Sequence, residues 1–331
     1  MVIFYADNEW NDIGVLKGFK ADFEASTIAE NNTFEVQADI GNPMLQPQYW
    51  IYMENTEYGG IVDKQRINTQ QDTVYYEGRT WRGILASKII QPQSGQDYYT
   101  IQGYSEIGLR LFLRRNALEN IFEWNISSPP SLNSFQFPRY IDLYSGLMMW
   151  FAENGHKLIF NFNSVTKKCE LDIVPIVNYA DQMEISNDFF DFDITKTENV
   201  CNHLIGLGQG ELKNREVFHA YADANGIVSE TQTLTDEKEV VQIYDYPSVQ
   251  DYEELKTATK KKLKEMQAED IIKITPQNID ADLGDKFVAK EQFTGLTVEQ
   301  TVDNKITTID DDKVVSNYTA KNNNKTSEVI A

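Results

Sequence analysis

Asn202-His203-Leu204-Ile205-Gly206-Leu207-Gly208-Gln209-Gly210-Glu211-Leu212-Lys213-Asn214-Arg215 is the stretch on which the reading of this chain turns. Its glycines invite comparison with a dinucleotide site. Such a site needs G-x-G-x-x-G after a strand, followed by a helix whose free N–H groups hold a pyrophosphate. Here the spacing is G-x-G-x-G, and Glu211 places a carboxylate where an anion would approach. Residues Glu211 to Phe218 alternate polar and apolar, the period of a strand. The glycines therefore read as a weakened or bulged strand edge approached closely by another backbone. The chain has no GxxxxGK[ST] motif, so no phosphate-cradling loop is expected.

Outward from this stretch the pattern stays β-rich. Asp22–Glu30 and Thr33–Asp39 flank a hairpin turn at Asn31-Asn32, Gln48–Met53 is an aromatic β-prone run, and Gln71–Tyr76 adds a further strand. Two similar corners follow, Tyr76–Leu85 and Ile101–Arg110. Each is a strand and a glycine, then a Thr or Ser able to cap a helix. Helices are expected from Ser105 to about Asn120 and over Arg139–Asn154, the second ended by Gly155. Strands resume at Lys157–Asn161 and Cys169–Pro175. Ser248-x-x-Asp251 resembles a capping box before a helix carrying Leu255, Thr259, Leu263 and Met266 on one side. Strands are expected again at Lys286–Lys290, Leu296–Thr301, Lys305–Asp310 and Val314–Tyr318.

The 331 residues suggest two or three domains, and a 41% hydrophobic content can fill several cores. The formal charge is -21, from 51 acidic and 30 basic residues. Such a chain repels phosphate backbones, and specific nucleic-acid binding is not expected. The basic clusters at Arg110–Arg115 and Lys260–Lys264 read as solvated helix faces. Met1–Tyr5 is apolar without a positive region, so no targeting segment is expected, and no run approaches the roughly 18 apolar residues of a membrane span. The expectation is a soluble protein made in a cytoplasm, without membrane insertion.

The residues able to carry chemistry are few. His156, His203 and His219 lie outside any HExxH pattern and read as structural. Cys169 and Cys201 lack CxxC spacing and read as buried apolar residues. The carboxylate pairs Asp191 with Asp193 and Asp282 with Asp285 read as strand faces or turn formers. Asp310-Asp311-Asp312 lacks the spacing and glycine of a calcium loop and reads as a hairpin tip. No catalytic, cofactor-binding or metal-ligating residue is assigned, no cofactor is expected, and the chain is not expected to be an enzyme. A 12% aromatic content suits either a glycan-binding face or the cores and contacts of an assembly protein.

The opening stretch also resembles the pattern N-H-L-x-x-L-G-x-G-E-L-x-x-R of a siphophage and prophage tail-associated baseplate hub protein family of Gram-positive hosts. His219–Asp223, Thr231–Thr233, Tyr244–Pro247, the helix Glu253–Met266, Leu283–Asp285, Thr294–Val298, Val302 and Lys305-Ile306 keep the same order. The corner Gly78–Ile90 is similar too. The resemblance is specific over 200–310 and weak before 75. It implies a phage tail hub-like fold, similar to contractile-phage hubs and type VI spike hubs: a β-rich α+β multidomain chain with two tube-like β-barrel domains plus smaller α/β domains. The expected divisions are a first barrel over 1–110, an α+β middle domain over 111–190, and a second barrel region over 191–331 holding a helix at about 249–268 and the C-terminal strands.

Such a protein would form a homotrimer around the DNA channel and join the tail tube to the tail tip. Its implied partners are the tail tube or distal tail protein, the tape measure protein, and a tail fibre or spike, in the virion tail of a phage synthesised in the host cytoplasm. Many relatives carry a C-terminal peptidase or lysozyme module, which is not expected in this chain because it stops soon after Tyr318. The second reading is a tail-associated cell-wall glycan-binding or glycan-hydrolysing protein.

Overall fold

A computed structural model describes residues 2–41, 45–179, 190–195, 201–249, 251–267, 271–276, 281–290, 297–310 and 313–321. The chain opens with seven strands: β1 (Phe4–Ala6), β2 (Asp12–Val15), β3 (Phe19–Ser26), β4 (Thr33–Asp39), β5 (Trp50–Tyr52), β6 (Gly59–Asn68) and β7 (Thr73–Thr80). β3 and β4 form the expected hairpin, through a 3-10 turn over Ala29–Asn31. Buried Asn32 stitches that turn shut: its amide bonds the carbonyls of Ser26, Ile28 and Ala29, and its side-chain oxygen accepts from Ser26 N–H. Alternation along β3 and β4 sends Phe19, Ala21, Phe23, Phe34, Val36 and Ala38 into one core.

Both expected corners form. Thr80 caps α1 (Trp81–Ala86) by accepting from Gly83 N–H, and Ser105 caps α2 (Glu106–Arg115) by accepting from Gly108 N–H. Between them lies β8 (Tyr99–Ile101), and β9 (Phe122–Trp124) and β10 (Phe135–Phe137) follow. Helix α3 (Leu143–Glu153) is capped by Asp142 and closed by Gly155 at φ +71°. That left-handed position suits a residue without Cβ. Strands β11 (His156–Asn163) and β12 (Lys168–Pro175) make a long hairpin, with β9 parallel to β12 on its edge.

The chain continues through β13 (Phe190–Thr195), β14 (His203–Leu207), β15 (Val217–Ala222), β16 (Val228–Ser229) and β17 (Val241–Asp245) to α4 (Tyr252–Glu265). It ends with β18 (Ile271–Pro276), β19 (Lys286–Lys290), β20 (Thr297–Asp310) and β21 (Lys313–Lys321). Two corrections are local. Helix α4 is capped by Asp251, which accepts from Glu254 N–H, and not by Ser248. The expected strands at Leu296–Thr301 and Lys305–Asp310 are one continuous strand: β20 pairs with β19 over Thr297–Thr301 and with β3 over Asn304–Asp310, and between the two ladders buried Val302 exchanges backbone hydrogen bonds with Gly284 and Asp285.

The chain divides into two compact units, residues 1–192 with 273–320, and residues 193–272 with 321–331. β20 lies antiparallel to β3, Lys305 opposite Ala25 and Ile309 opposite Ala21. The C-terminal strands thereby join the N-terminal sheet. That sheet has twelve strands in the order β13-β18-β21-β20-β3-β4-β7-β6-β5-β1-β2, with β19 paired to β20. Among the described residues it runs as an open path, not as a closed barrel.

The second unit is a four-stranded sheet, β16-β15-β14-β17, with α4 on one face. Leu204, Phe218, Ala220, Ala222, Leu255 and Leu263 form its core. The glycines of the opening stretch find their reason here. A Cβ built on Gly206 would meet Thr259 Oγ1 at 2.0 Å, and one on Gly208 would meet Leu255 Cδ2 at 2.9 Å. At these two the close approach is that of a helix side chain, whereas at Gly210 it is the backbone expected from sequence, Asn214 O lying 2.5 Å from a built Cβ. After Gly210 (φ +94°) the chain makes a 3-10 turn over Leu212–Asn214, and β15 begins only at Val217, so the strand expected from Glu211 is shorter. Gly206→Val is expected to lower stability by about 1–3 kcal/mol through overpacking. A urea midpoint equal to that of the parent protein would contradict this packing.

Candidate functional site

The strongest concentration of ionisable groups lies inside the first unit. Arg82, on the first turn of α1, is 4% exposed and sits 2.6 Å from Glu57 Oε2 through Nη1, and 3.3 Å from Asp282 Oδ1 through Nη2. Its contact with Glu57 Oε2 is an ion pair without hydrogen-bond geometry, since that oxygen has no hydrogen-bond partner. Lys305, on β20 and 3% exposed, donates to Glu57 Oε1 at 2.9 Å. Beside this trio, Lys157 Nζ donates to Asp285 Oδ2 at 2.6 Å, and Asp285 is fully buried. Asp285 also accepts from Val177 N–H and Asp282 N–H, both at 2.9 Å.

The electrostatics follow from this geometry. Burial alone would raise the Glu57 carboxyl, but Arg82 and Lys305 outweigh it and hold it at about 2. Burial and then the Glu57 charge push the Asp282 carboxyl above the usual range, against Arg82. Burial opposes the Arg82 and Lys305 charges too, yet Glu57 holds both above their ordinary values. Two carboxyls pushed apart are a pattern found at acid–base centres. Room decides what this pair can do. The cavity lined by Glu57, Tyr58, Arg82, Lys305 and Thr307 measures about 10 Å³, enough for about one water molecule. A sugar ring does not fit.

The partners are far apart in sequence. Arg82 and Asp282 are separated by 200 residues, Lys157 and Asp285 by 128, Lys305 and Glu57 by 248. The cluster thus ties Asp282–Lys305 to the N-terminal strands and α1. Of the pair Asp282 and Asp285, read as turn formers, both serve a turn and both are ion-pair partners, since Gly284 between them turns at φ +91°. Sequence reasoning missed Glu57, Arg82, Lys157 and Lys305. The apolar neighbours of Arg82 in Trp81-Arg82-Gly83-Ile84-Leu85 were the available signal.

Other weighed residues fall as follows. His156 Nδ1 contacts Asn154 O at 2.7 Å, at the end of α3. Cys169 and Cys201 are free and buried. Arg110 pairs with Glu106 on an exposed face of α2, and Lys260 pairs with Glu230. The side chains of Asp191 and Asp193, and the residues Asp311 and Asp312, lie outside the described residues. No group of three potential metal ligands occurs among the described residues, and no described helix is long and apolar enough to cross a membrane. His203 and His219 are brought together: His203 Nε2 lies 2.7 Å from His219 Nδ1, and His203 Nδ1 lies 2.6 Å from Glu239 Oε1.

Most of the tryptophans turn inward, whereas Tyr98, Tyr140 and Tyr252 are exposed. Trp10 stacks on Trp50 at 4.3 Å, Trp81 on Phe162 at 5.2 Å, and Tyr52 meets Phe162 at 4.5 Å. Trp50, Trp81, Trp124 and Trp150 are buried, and the last two donate their indole N–H groups to backbone carbonyls.

No family model and no curated protein matches the chain. Solved structures do. Prophage tail protein gp18 of Listeria monocytogenes is 13% identical, with 98% of this chain and 96% of that one covered at a TM-score of 0.49. The 43 kDa tail protein of prophage MuSo2 from Shewanella oneidensis is 10% identical, with 97% and 98% covered at 0.49. A tail protein of Neisseria meningitidis is 11% identical, with 97% and 96% covered at 0.48. The structural neighbours are thus phage tail proteins.

Proposed function

We propose that this chain is a structural component of a phage or prophage tail, a baseplate hub that joins the tail tube to the tail tip as a homotrimer around the DNA channel. Two kinds of observation support the reading. In sequence, the Asn202–Arg215 pattern and the ordered segments after it resemble the hub family. In structure, the observation that carries it is the use of the buried charges. Glu57, Arg82, Lys157, Asp282, Asp285 and Lys305 join distant segments of one unit, and the space beside Glu57, Arg82 and Lys305 holds about one water. Buried ion pairs add little net stability, and the role we assign to these is to select one arrangement of strands. That suits a part whose work is to hold a shape.

A trimer would carry three times the chain's charge of -21. Acidic groups facing a channel would let DNA pass without the phosphate contacts that retain it. The tail tube or distal tail protein, the tape measure protein and a fibre or spike are the partners this position requires. Electron microscopy of tails labelled with antibody against this chain tests the placement. Label at the tail end opposite the capsid is expected. Label along the whole tail, or tails without label, would overturn the hub assignment.

The glycan reading makes a separate demand, an aromatic cleft with two facing acids. The inward stacking of the tryptophans and the closed Glu57–Asp282 pair favour the structural reading over it. Incubation with purified cell wall is expected to release no soluble fragments. Release abolished by Glu57→Gln would reverse that preference.

A further inference from the structure

The second unit contains a line of three titratable side chains. Glu239 Oε1, His203 Nδ1, His203 Nε2 and His219 Nδ1 follow one another at 2.6 and 2.7 Å. His203 is 8% exposed, and His219 is exposed on β15. Glu239 lies in the segment 230–240, which leaves β16 at one edge of the sheet and reaches β17 at the other. That crossing is fastened at one end by His203. Asn202 and His203 N–H both donate to Val240 O, and the Asn202 side chain accepts from Val240 N–H and donates to Lys238 O. Gln232, at the start of the crossing, donates to the same Glu239 oxygen at 2.8 Å.

Donor and acceptor needs fix the protons. With Glu239 ionised, His203 donates from Nδ1, so its Nε2 must accept, and His219 must donate from Nδ1. Adding one proton keeps the line intact: His203 becomes a cation with both nitrogens donating, and His219 turns to accept through Nδ1 while carrying its proton on Nε2. Adding a second proton cannot. Both facing nitrogens then carry hydrogen, and two cations meet at hydrogen-bond distance.

We propose that Glu239, His203 and His219 form an acid-released latch on the 230–240 segment: the histidine pair holds the crossing while it carries at most one extra proton and frees it when it takes the second. Among the described residues, the strand neighbours of the pair are uncharged, and the charged ones lie on the crossing. The Tyr221 ring lies tilted 4.4 Å from His203, and Ser229 is paired opposite Tyr221 on β16. On the far side β17 presents Val241 opposite His203. Asp236, Glu237 and Lys238 are exposed on the crossing itself. In agreement, burial and then the neighbouring His203 hold His219 below the ordinary 6.5. The sign follows: a histidine depressed in the folded state contributes stability above its unfolded value, and that contribution is lost as pH falls through its folded one.

The test is amide hydrogen exchange of the full chain, corrected for intrinsic rates, from about pH 7.5 to about pH 4.5, across the ordinary histidine range. In the parent protein, protection of 230–241 is expected to fall at least roughly tenfold, the equivalent of one pKa unit, while the β11–β12 hairpin keeps its protection. In His219→Gln, which can still donate to His203 but cannot become a cation, the step is expected to vanish. The same step in His219→Gln, no step in the parent protein, or parallel loss in the hairpin would each overturn the latch.

Discussion

Replacing Asp285 by alanine is expected to destabilise the first unit by about 3–5 kcal/mol, the scale for breaking a buried ion pair by removing one partner. Three losses coincide. Lys157, 7% exposed, keeps its ammonium in the interior without a counter-charge. The N–H groups of Val177 and Asp282 lose the carboxylate that accepts both. A buried polar group left unsatisfied costs about 1–3 kcal/mol by itself. The turn at Leu283-Gly284 then has less to hold it under β20. Urea unfolding read by tryptophan fluorescence should show a lower midpoint with an unchanged slope. Adding Lys157→Met should recover part of the loss, because the uncompensated charge is then gone. A double variant as unstable as the sum of the singles would contradict the pairing.

Arg82→Met is the second large effect. It is expected to cost about 3 kcal/mol, the lower end of the buried-pair range, because Glu57 keeps Lys305. Asp282→Asn in the Arg82→Met background should recover part of the loss, because Asp282 is the carboxylate left without its cation. The acid limb changes as well. Glu57, depressed to about 2 from 4.5, contributes stability above its unfolded value and loses it as pH falls toward 2. Asp282, raised from 3.8, has the opposite sign: its contribution is present at low pH and lost as pH rises through its folded value. Without Arg82 the first term shrinks and Asp282 is raised further, so the stability of the variant should depend less steeply on pH over the acid range. A limb as steep as in the parent protein would show that the Arg82 charge does not govern these carboxyls.

Much of the local structure could be read from the sequence, because short-range chemistry carries it. Thr80 and Ser105 cap their helices, α3 forms within the expected span with Tyr144, Leu147 and Phe151 buried, and the Asn31-Asn32 turn closes β3 on β4. The cap of α4 shifted by one turn because Ser248 and Asp251 offer equivalent oxygens, and only the chain's path chooses between them. Long-range pairing was not legible. Nothing in the period of β20 says that Ile309 meets Ala21, or that Lys305 reaches Glu57. The same holds for the histidines. His203 and His219 share a sheet face only once the register of β14 on β15 is fixed, with His203 opposite Tyr221 and Ile205 opposite His219. Their equal parity on two neighbouring strands was the available signal. Glu239 arrives from a crossover that no periodicity foretells.

The structural reading rests finally on assembly, and the mass of the purified protein in solution tests it most directly. A closed ring needs heterologous contacts that meet after a fixed number of copies. Sedimentation equilibrium is expected to give about 114 kDa, three times the 38.0 kDa chain, in a single species. A stable particle of two copies related by a two-fold axis, or a monomer at every concentration, would contradict the hub.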